Sequence, residues 1–282
     1  MEERSVKLRV ADVELFYETA GEGPPCVLVH GGPGVAPASA RLSQYADLGG
    51  LVRLIAYHHR GHGRSSKAPE ATYTQHQLAE DLLGLCRGLG IDRPILLGTS
   101  AGGFISLIYA TAYPDALRAL ILVGTSASNA FMPRATANME RLGTPAMRQA
   151  YRRLWDGSID DPAEFRRAFE TIQPMYYHDK RLAPASLADL DFDPATRRAL
   201  IRDYARYDVR DALSGIRVPA WVGVGRHDWI CPLPESEELA QRIPGAELHI
   251  FEHSGHSPQT EEKPAFMESI RTFLTRRVLA HS

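Results

Sequence analysis

Over the first 130 residues, short apolar runs alternate with amphipathic stretches, the pattern of a mostly parallel sheet covered by helices on both faces. Positions 6–10 and 13–19 alternate apolar and polar residues around a turn at Ala11-Asp12, which predicts an antiparallel hairpin at a sheet edge. The runs at 26–29, 51–56, 95–97 and 119–123 are short, largely apolar and closed by turn residues, as expected of strands buried on both faces. Leu78, Leu82, Leu85 and Leu89 fall on one face of a covering helix expected over 74–89. From about 131 to 208 the strand runs vanish. Arg, Met, Tyr and Trp appear there at helical spacing, punctuated by Pro133, Pro145, Pro162, Pro174, Pro184 and Pro194, which predicts a helical cap inserted between two core segments, 1–130 and 209–282. A buried strand returns at Ala220-Trp-Val-Gly-Val-Gly, followed by a helix (234–242), a strand (247–251) and a last helix (264–277).

Composition narrows the function classes. With 44% hydrophobic and 23% charged residues in 282, the chain carries enough apolar material for a sizeable core, and disorder and collagen-like repeats are excluded. A net charge of -2 supplies no field for phosphate backbones or anionic lipid, so neither nucleic acid nor membrane is expected as a partner. Cys26, Cys86 and Cys231 are widely separated and lack metal-ligand spacing, so they read as buried or incidental thiols in a reducing compartment. The amino terminus carries charges of both signs with no signal-peptide pattern, and no apolar run approaches the roughly 20 residues of a membrane span. These readings give a cytoplasmic location as the expectation.

Candidate chemistry begins at Gly98-Thr-Ser100-Ala-Gly102-Gly103, between the strand at 95–97 and an apolar helix from Phe104. A G-x-S-x-G string alone arises by chance in roughly one chain in ten of this length. Its placement says more: a serine on a sharp strand-to-helix turn is held in a strained backbone, flanking glycines let strand and helix approach, and the helix N-terminus favours a developing oxyanion. A serine nucleophile needs a base, and the base an orienting acid. Asp228 is the strand-tip acid, in Gly225-Arg-His-Asp228, since 124–130 contains no Asp or Glu. His253 and His256 follow the last strand; His256 is preferred because Gly255 frees its backbone to turn inward. His227 and His249 read as structural, and His281 sits in a terminal tail. At Val29-His30-Gly31-Gly32-Pro33-Gly34, backbone N–H groups can face a ligand, and donors from Gly32 and Ala101 would form an oxyanion hole.

These four elements in order resemble the α/β-hydrolase superfamily over nearly the whole chain. HGGPG at 30–34, Arg60-Gly-His-Gly-Arg-Ser65 and the cap stretch from Asp161 to Asp179 are most similar to the proline iminopeptidase (serine aminopeptidase) group. The resemblance implies an α/β fold with a mostly parallel eight-stranded sheet flanked by helices, a helical cap insert, and a cofactor-free Ser-His-Asp hydrolase acting on a small-molecule or short-peptide substrate. Three departures from that group stand out. His58 replaces its usual Asp two residues before the Arg; Ala101 replaces an aromatic residue after the nucleophile; and no acidic clamp for a substrate amine is evident, Glu164 and Glu170 being the only candidates. Trp155, Phe169, Tyr176, Tyr177 and Trp229 are the expected pocket residues. The leading reading is a serine hydrolase of an ester, lactone or N-terminal peptide amide. The alternatives are a proline iminopeptidase specifically, or a slow-turnover receptor of the same superfamily. A dehalogenase or epoxide hydrolase would need Asp at position 100.

Overall fold

The computed structural model describes residues 4–37 and 42–280. In chain order the elements are β1 (Arg4–Val10), β2 (Val13–Ala20), β3 (Pro25–Val29), β4 (Val35–Pro37), β5 (Arg53–Tyr57), α1 (Gln75–Gly88), β6 (Ile95–Thr99), α2 (Ala101–Ala112) and β7 (Ala119–Val123). They continue with α3 (Phe131–Leu142), α4 (Pro145–Asp156), α5 (Pro162–Ile172), β8 (Leu190–Phe192), α6 (Pro194–Tyr204), β9 (Ala220–Gly225), α7 (Leu233–Arg242), β10 (Glu247–Phe251), α8 (Pro258–Glu261) and α9 (Lys263–Phe273).

Eight strands form one sheet in the order β1-β2-β5-β3-β6-β7-β9-β10. The edge hairpin pairs antiparallel, as its alternating pattern predicts, and β2 meets β5 antiparallel; from β5 to β10 every pair is parallel. Strand alternation divides the core in two. Leu120 and Leu122 of β7 face one apolar cluster with the leucines of α1, while Ala119, Ile121 and Val123 face another with Phe266, Ile270 and Phe273 of α9. All five β7 side chains are buried, which is why the run reads as continuously apolar.

Three of the prolines between β7 and β9 open α-helices. Pro145, Pro162 and Pro194 each follow an N-cap, Thr144, Asp161 or Asp193, whose side chain accepts a backbone N–H of the first turn. The segment between β7 and β9 is not wholly helical. β8 pairs antiparallel with β4, setting Val35 opposite Phe192 and Pro37 opposite Leu190. A three-residue strand is too short to leave a periodic signal, and its partner lies about 155 residues earlier (Ala36 opposite Asp191). The final helix also differs from expectation: α8 is a separate turn, and α9 ends at Phe273 before a wider π turn over Leu274–Leu279. No helix among the described residues is long and apolar enough to cross a membrane. All three cysteines are buried and unpaired, and burial pushes the Cys26 and Cys86 thiols up to about 12.

Candidate active site

β6 ends at Thr99 and α2 begins at Ala101, so Ser100 alone makes the turn, at φ 54° and ψ -124°. A non-glycine residue with positive φ is strained and persists only where its surroundings hold it. Here the Ser100 N–H donates to the Val123 carbonyl (2.9 Å), while its own carbonyl accepts from the Gly103 N–H (2.8 Å) and the Thr125 hydroxyl (2.8 Å). Gly102 is required for a measurable reason: a Cβ there would overlap the Val29 carbonyl oxygen of β3. Gly102→Ala is therefore expected to lower stability by roughly 3 kcal/mol or more, at the upper end of overpacking costs, read as a shift in urea midpoint with m unchanged. An unchanged midpoint would show that β3 and α2 can separate freely.

The HGGPG loop packs directly on this turn. A Cβ on Gly31 would stand 2.6 Å from the Thr99 carbonyl oxygen and 2.8 Å from Ser100 Cβ. Gly32 (φ 77°) and Ala101 both line the cavity beside Ser100, and Ala101, as the first residue of α2, has an N–H without an intrahelical acceptor.

Asp228 follows β9 and is 4% exposed; His256 follows β10 and is 6% exposed. Asp228 Oδ1 accepts the N–H groups of Ile230 (2.9 Å) and Cys231 (3.0 Å), which fixes the carboxylate, and Oδ2 accepts from His256 Nδ1 at 2.7 Å. With Nδ1 donating, Nε2 carries the free lone pair. Gly124, at the tip of β7, leaves room for the pair: a Cβ there would stand 3.1 Å from Asp228 Oδ2 and 3.2 Å from His256 Nδ1. The histidine loop is tied to the segment before β8. His256 N–H donates to the Tyr176 carbonyl (2.8 Å), and the Glu261 carboxylate accepts from the backbone N–H groups of Gly255, His178 and Asp179. Ser100 and His256 face one cavity; among the described residues no direct hydrogen bond joins them, a separation that commonly closes when substrate binds.

The cavity measures about 180 Å³ and is walled mainly by Phe104, Phe131, Trp155, Phe169, Tyr176 and Tyr204. Of the expected pocket residues, Trp155, Phe169, Tyr176 and Tyr177 line it. Trp229 does not: it lies behind the wall, edge-on to Tyr151 and Tyr176. Glu164 and Glu170 also lie elsewhere, Glu164 paired with Arg153 and Glu170 exposed on α5. No acidic side chain lines the cavity among the described residues, whereas one cation does, Arg197 of α6. His253 is exposed, His227 stacks on His178, and His249 stacks on Trp221. His281 lies outside the described residues.

Residues 24–263 match the family described as alpha/beta hydrolase fold. The chain belongs to that family. This α/β hydrolase is 29% identical over 279 residues to the proline iminopeptidase PfmaB of Pestalotiopsis fici, covering 95% of this chain and 99% of that one. It is also 29% identical over 276 residues to a 2-hydroxymuconate semialdehyde hydrolase of Pseudomonas putida, covering 93% and 91% of the two chains. A thermophilic esterase from Thermogutta terrifontis superposes with a TM-score of 0.71 at 28% identity, over 98% of this chain and 99% of that one.

Two features of the hydrolase's site escaped the sequence reading. With His58 in place of the usual Asp, acidic support for the Arg60 loop was expected to be missing, yet Asp81 of α1 takes Arg60 Nε and Nη2 at 2.5 and 2.7 Å, and Asp12 of the edge hairpin takes Nη2 at 3.0 Å. Behind the HGGPG loop the buried imidazoles of His58, His59 and His62 cluster against the partly buried His30 of the loop itself, with His30 and His59 ring centroids 3.9 Å apart. Each hydrogen bond fixes a tautomer. His30 Nδ1 donates to the Gly31 carbonyl (2.8 Å), His59 Nε2 donates to the His30 carbonyl (2.9 Å), and His62 donates to the Arg60 carbonyl (3.0 Å) while accepting the Gly34 N–H (2.9 Å). Both ends of the HGGPG loop are thus held by neutral imidazoles. The adjacent pair His58-His59 beside the R-G-x-G-x-S run was the available signal. No group of three metal-ligating side chains is assembled among the described residues.

Proposed function

We propose that this protein is a serine hydrolase of small esters or lactones. Ser100 Oγ attacks the acyl carbonyl carbon while its proton passes to His256 Nε2, and Asp228 holds the imidazole and stabilises its cationic form. The N–H groups of Gly32 and Ala101 stabilise the tetrahedral oxyanion, each worth roughly 3 kcal/mol by comparison with a measured donor deletion in another serine hydrolase. Collapse breaks the bond to the leaving alkoxide, which takes the proton from His256. Water then gives a proton to the same nitrogen and attacks the acyl-enzyme; the second collapse releases the carboxylic acid and returns the proton to Ser100.

The observation that supports an ester or lactone over a peptide with a free amino terminus is the cavity lining, which among the described residues offers a substrate ammonium no carboxylate. A cationic amine would instead meet Arg197. The size of the cavity agrees with a small acyl group: a cavity of about 150 Å³ holds benzene, and this one is about 180 Å³. The relative named as an esterase accords with this reading, while the one named as a proline iminopeptidase accords with the amide alternative. The test compares 4-nitrophenyl esters of increasing acyl length with proline 4-nitroanilide and its N-blocked form. Steady turnover of short esters, at least about 100-fold above the unblocked anilide in kcat/KM, is expected, a gap of about 3 kcal/mol. Preference for the unblocked anilide would overturn the reading. A single acylation at Ser100 without turnover would identify a binding protein instead.

A further inference from the structure

Arg197 is the one cation on the cavity wall among the described residues, and its environment is unusual. The side chain is only 8% exposed, yet no Asp or Glu pairs with it among the described residues. Its Nε donates to the Leu154 carbonyl (2.8 Å) and Nη1 to the Pro33 carbonyl (3.4 Å), while Nη2 has no hydrogen-bond partner within the described residues. The rings of Trp155 and Phe165 lie beside the guanidinium, 5.5 and 5.1 Å from its carbon. The ionisable groups that act on it are the phenols of Tyr176, Tyr204 and Tyr151, and burial raises all three above the ordinary tyrosine value, so they remain protonated. Tyr151 is already bonded to Thr136 at 2.8 Å. Tyr176 and Tyr204 also line the cavity, and neither hydroxyl makes a hydrogen bond among the described residues.

A guanidinium keeps its charge even when buried, and an uncompensated buried charge is costly. A guanidinium edge and neutral phenol O–H groups can each donate a hydrogen bond to a carboxylate, and Arg197, Tyr176 and Tyr204 share one small, largely apolar chamber with Ser100 and His256.

We propose that Arg197, Tyr176 and Tyr204 form a carboxylate subsite, so that the substrate is a short acyl ester or lactone bearing a second, free carboxylate at the end remote from the scissile bond. Half-esters and lactones derived from short dicarboxylic acids are the class that fits. The proposal rests on the serine-hydrolase reading for turnover, but the subsite can be tested apart from it.

In the wild-type protein, phenyl hydrogen adipate is compared with its neutral counterpart, methyl phenyl adipate. The free acid should be favoured by about tenfold or more in kcat/KM, chiefly through KM, the size expected of one charge-assisted contact. In Arg197→Met the ratio should collapse to one or below, and Arg197→Lys should restore part of it, because Lys keeps the charge without the fork. Equal losses on both esters would overturn the proposal and leave Arg197 as a tie between Leu154 and Pro33. Should neither variant fold, the wild type still decides: adipate must inhibit phenyl acetate hydrolysis competitively at least about tenfold more tightly than adipamide, and equal inhibition overturns the subsite. The two readings fail separately. Calorimetric binding of adipate by a protein that turns over no ester would sink the hydrolase assignment and keep the subsite. Ester turnover indifferent to the distal carboxylate would do the reverse.

Discussion

Ser100→Ala is expected to lower kcat on a short activated ester by roughly 10⁴-fold or more, with the melting temperature almost unchanged. The substitution removes only the hydroxyl. The Cβ that makes φ 54° unfavourable stays, as do the backbone bonds to Val123 and Gly103 that hold the turn, so stability has little reason to move. What is lost is the covalent route. The proposed donors, the N–H groups of Gly32 and Ala101, would remain and should sustain a small residual rate. His256→Ala should be similarly severe and His253→Ala mild, because His256 bonds Asp228 at 2.7 Å while His253 is solvent-exposed. Near-normal turnover in Ser100→Ala would remove the mechanism, and the opposite histidine ranking would move the base to position 253.

The second large effect is on stability in acid. Burial holds His30 well below its ordinary value, His59 at about 3 and His62 at about 4, with the neighbouring imidazoles adding to the depression of His30 and His59. Around His62, Asp193 and Asp191 favour the cation and Lys67 opposes it, and burial outweighs all three. In the unfolded chain each imidazole titrates near 6.5. Below that pH the unfolded state takes up protons that the native state refuses, so these groups favour folding fully above about 6.5, and that advantage shrinks as pH falls toward 4. Three such sites at about 1.4 kcal/mol each give a limiting slope near 4 kcal/mol per pH unit. Urea midpoints at pH 7.5, 6.0, 5.5 and 5.0 should fall accordingly, and His62→Gln, whose amide can still accept from Gly34 and donate to Arg60, should remove about one proton from the slope. A midpoint flat from pH 7 to 5 would show the cluster to be hydrated or already charged.

The sheet was legible because its buried strands are local in sequence: a five-residue apolar run such as Ala119–Val123 announces itself. The G-x-S-x-G turn was legible for the same reason, since Gly98 and Gly102 mark a close approach. What escaped depends on pairs distant in the chain. Nothing near Arg60 points to Asp12 or Asp81, and nothing near Arg197 reveals that it stands without a carboxylate in the Ser100 cavity. Trp229 was expected on the wall, but the turn that aims Asp228 at His256 leaves the indole edge-on to Tyr176 and outside the cavity lining.

The antiparallel pairing of β4 with β8 reaches beyond architecture. The strand that continues from the HGGPG loop is hydrogen-bonded to the segment that roofs the cavity, so a displacement of that roof pulls on the backbone carrying Gly32. Any movement of that roof to admit a ligand would therefore be felt at the amide expected to meet its oxyanion. A chimera that exchanges residues 131–208 for those of a relative must bring a compatible partner for Val35–Pro37, or the transplanted roof will leave that amide unanchored.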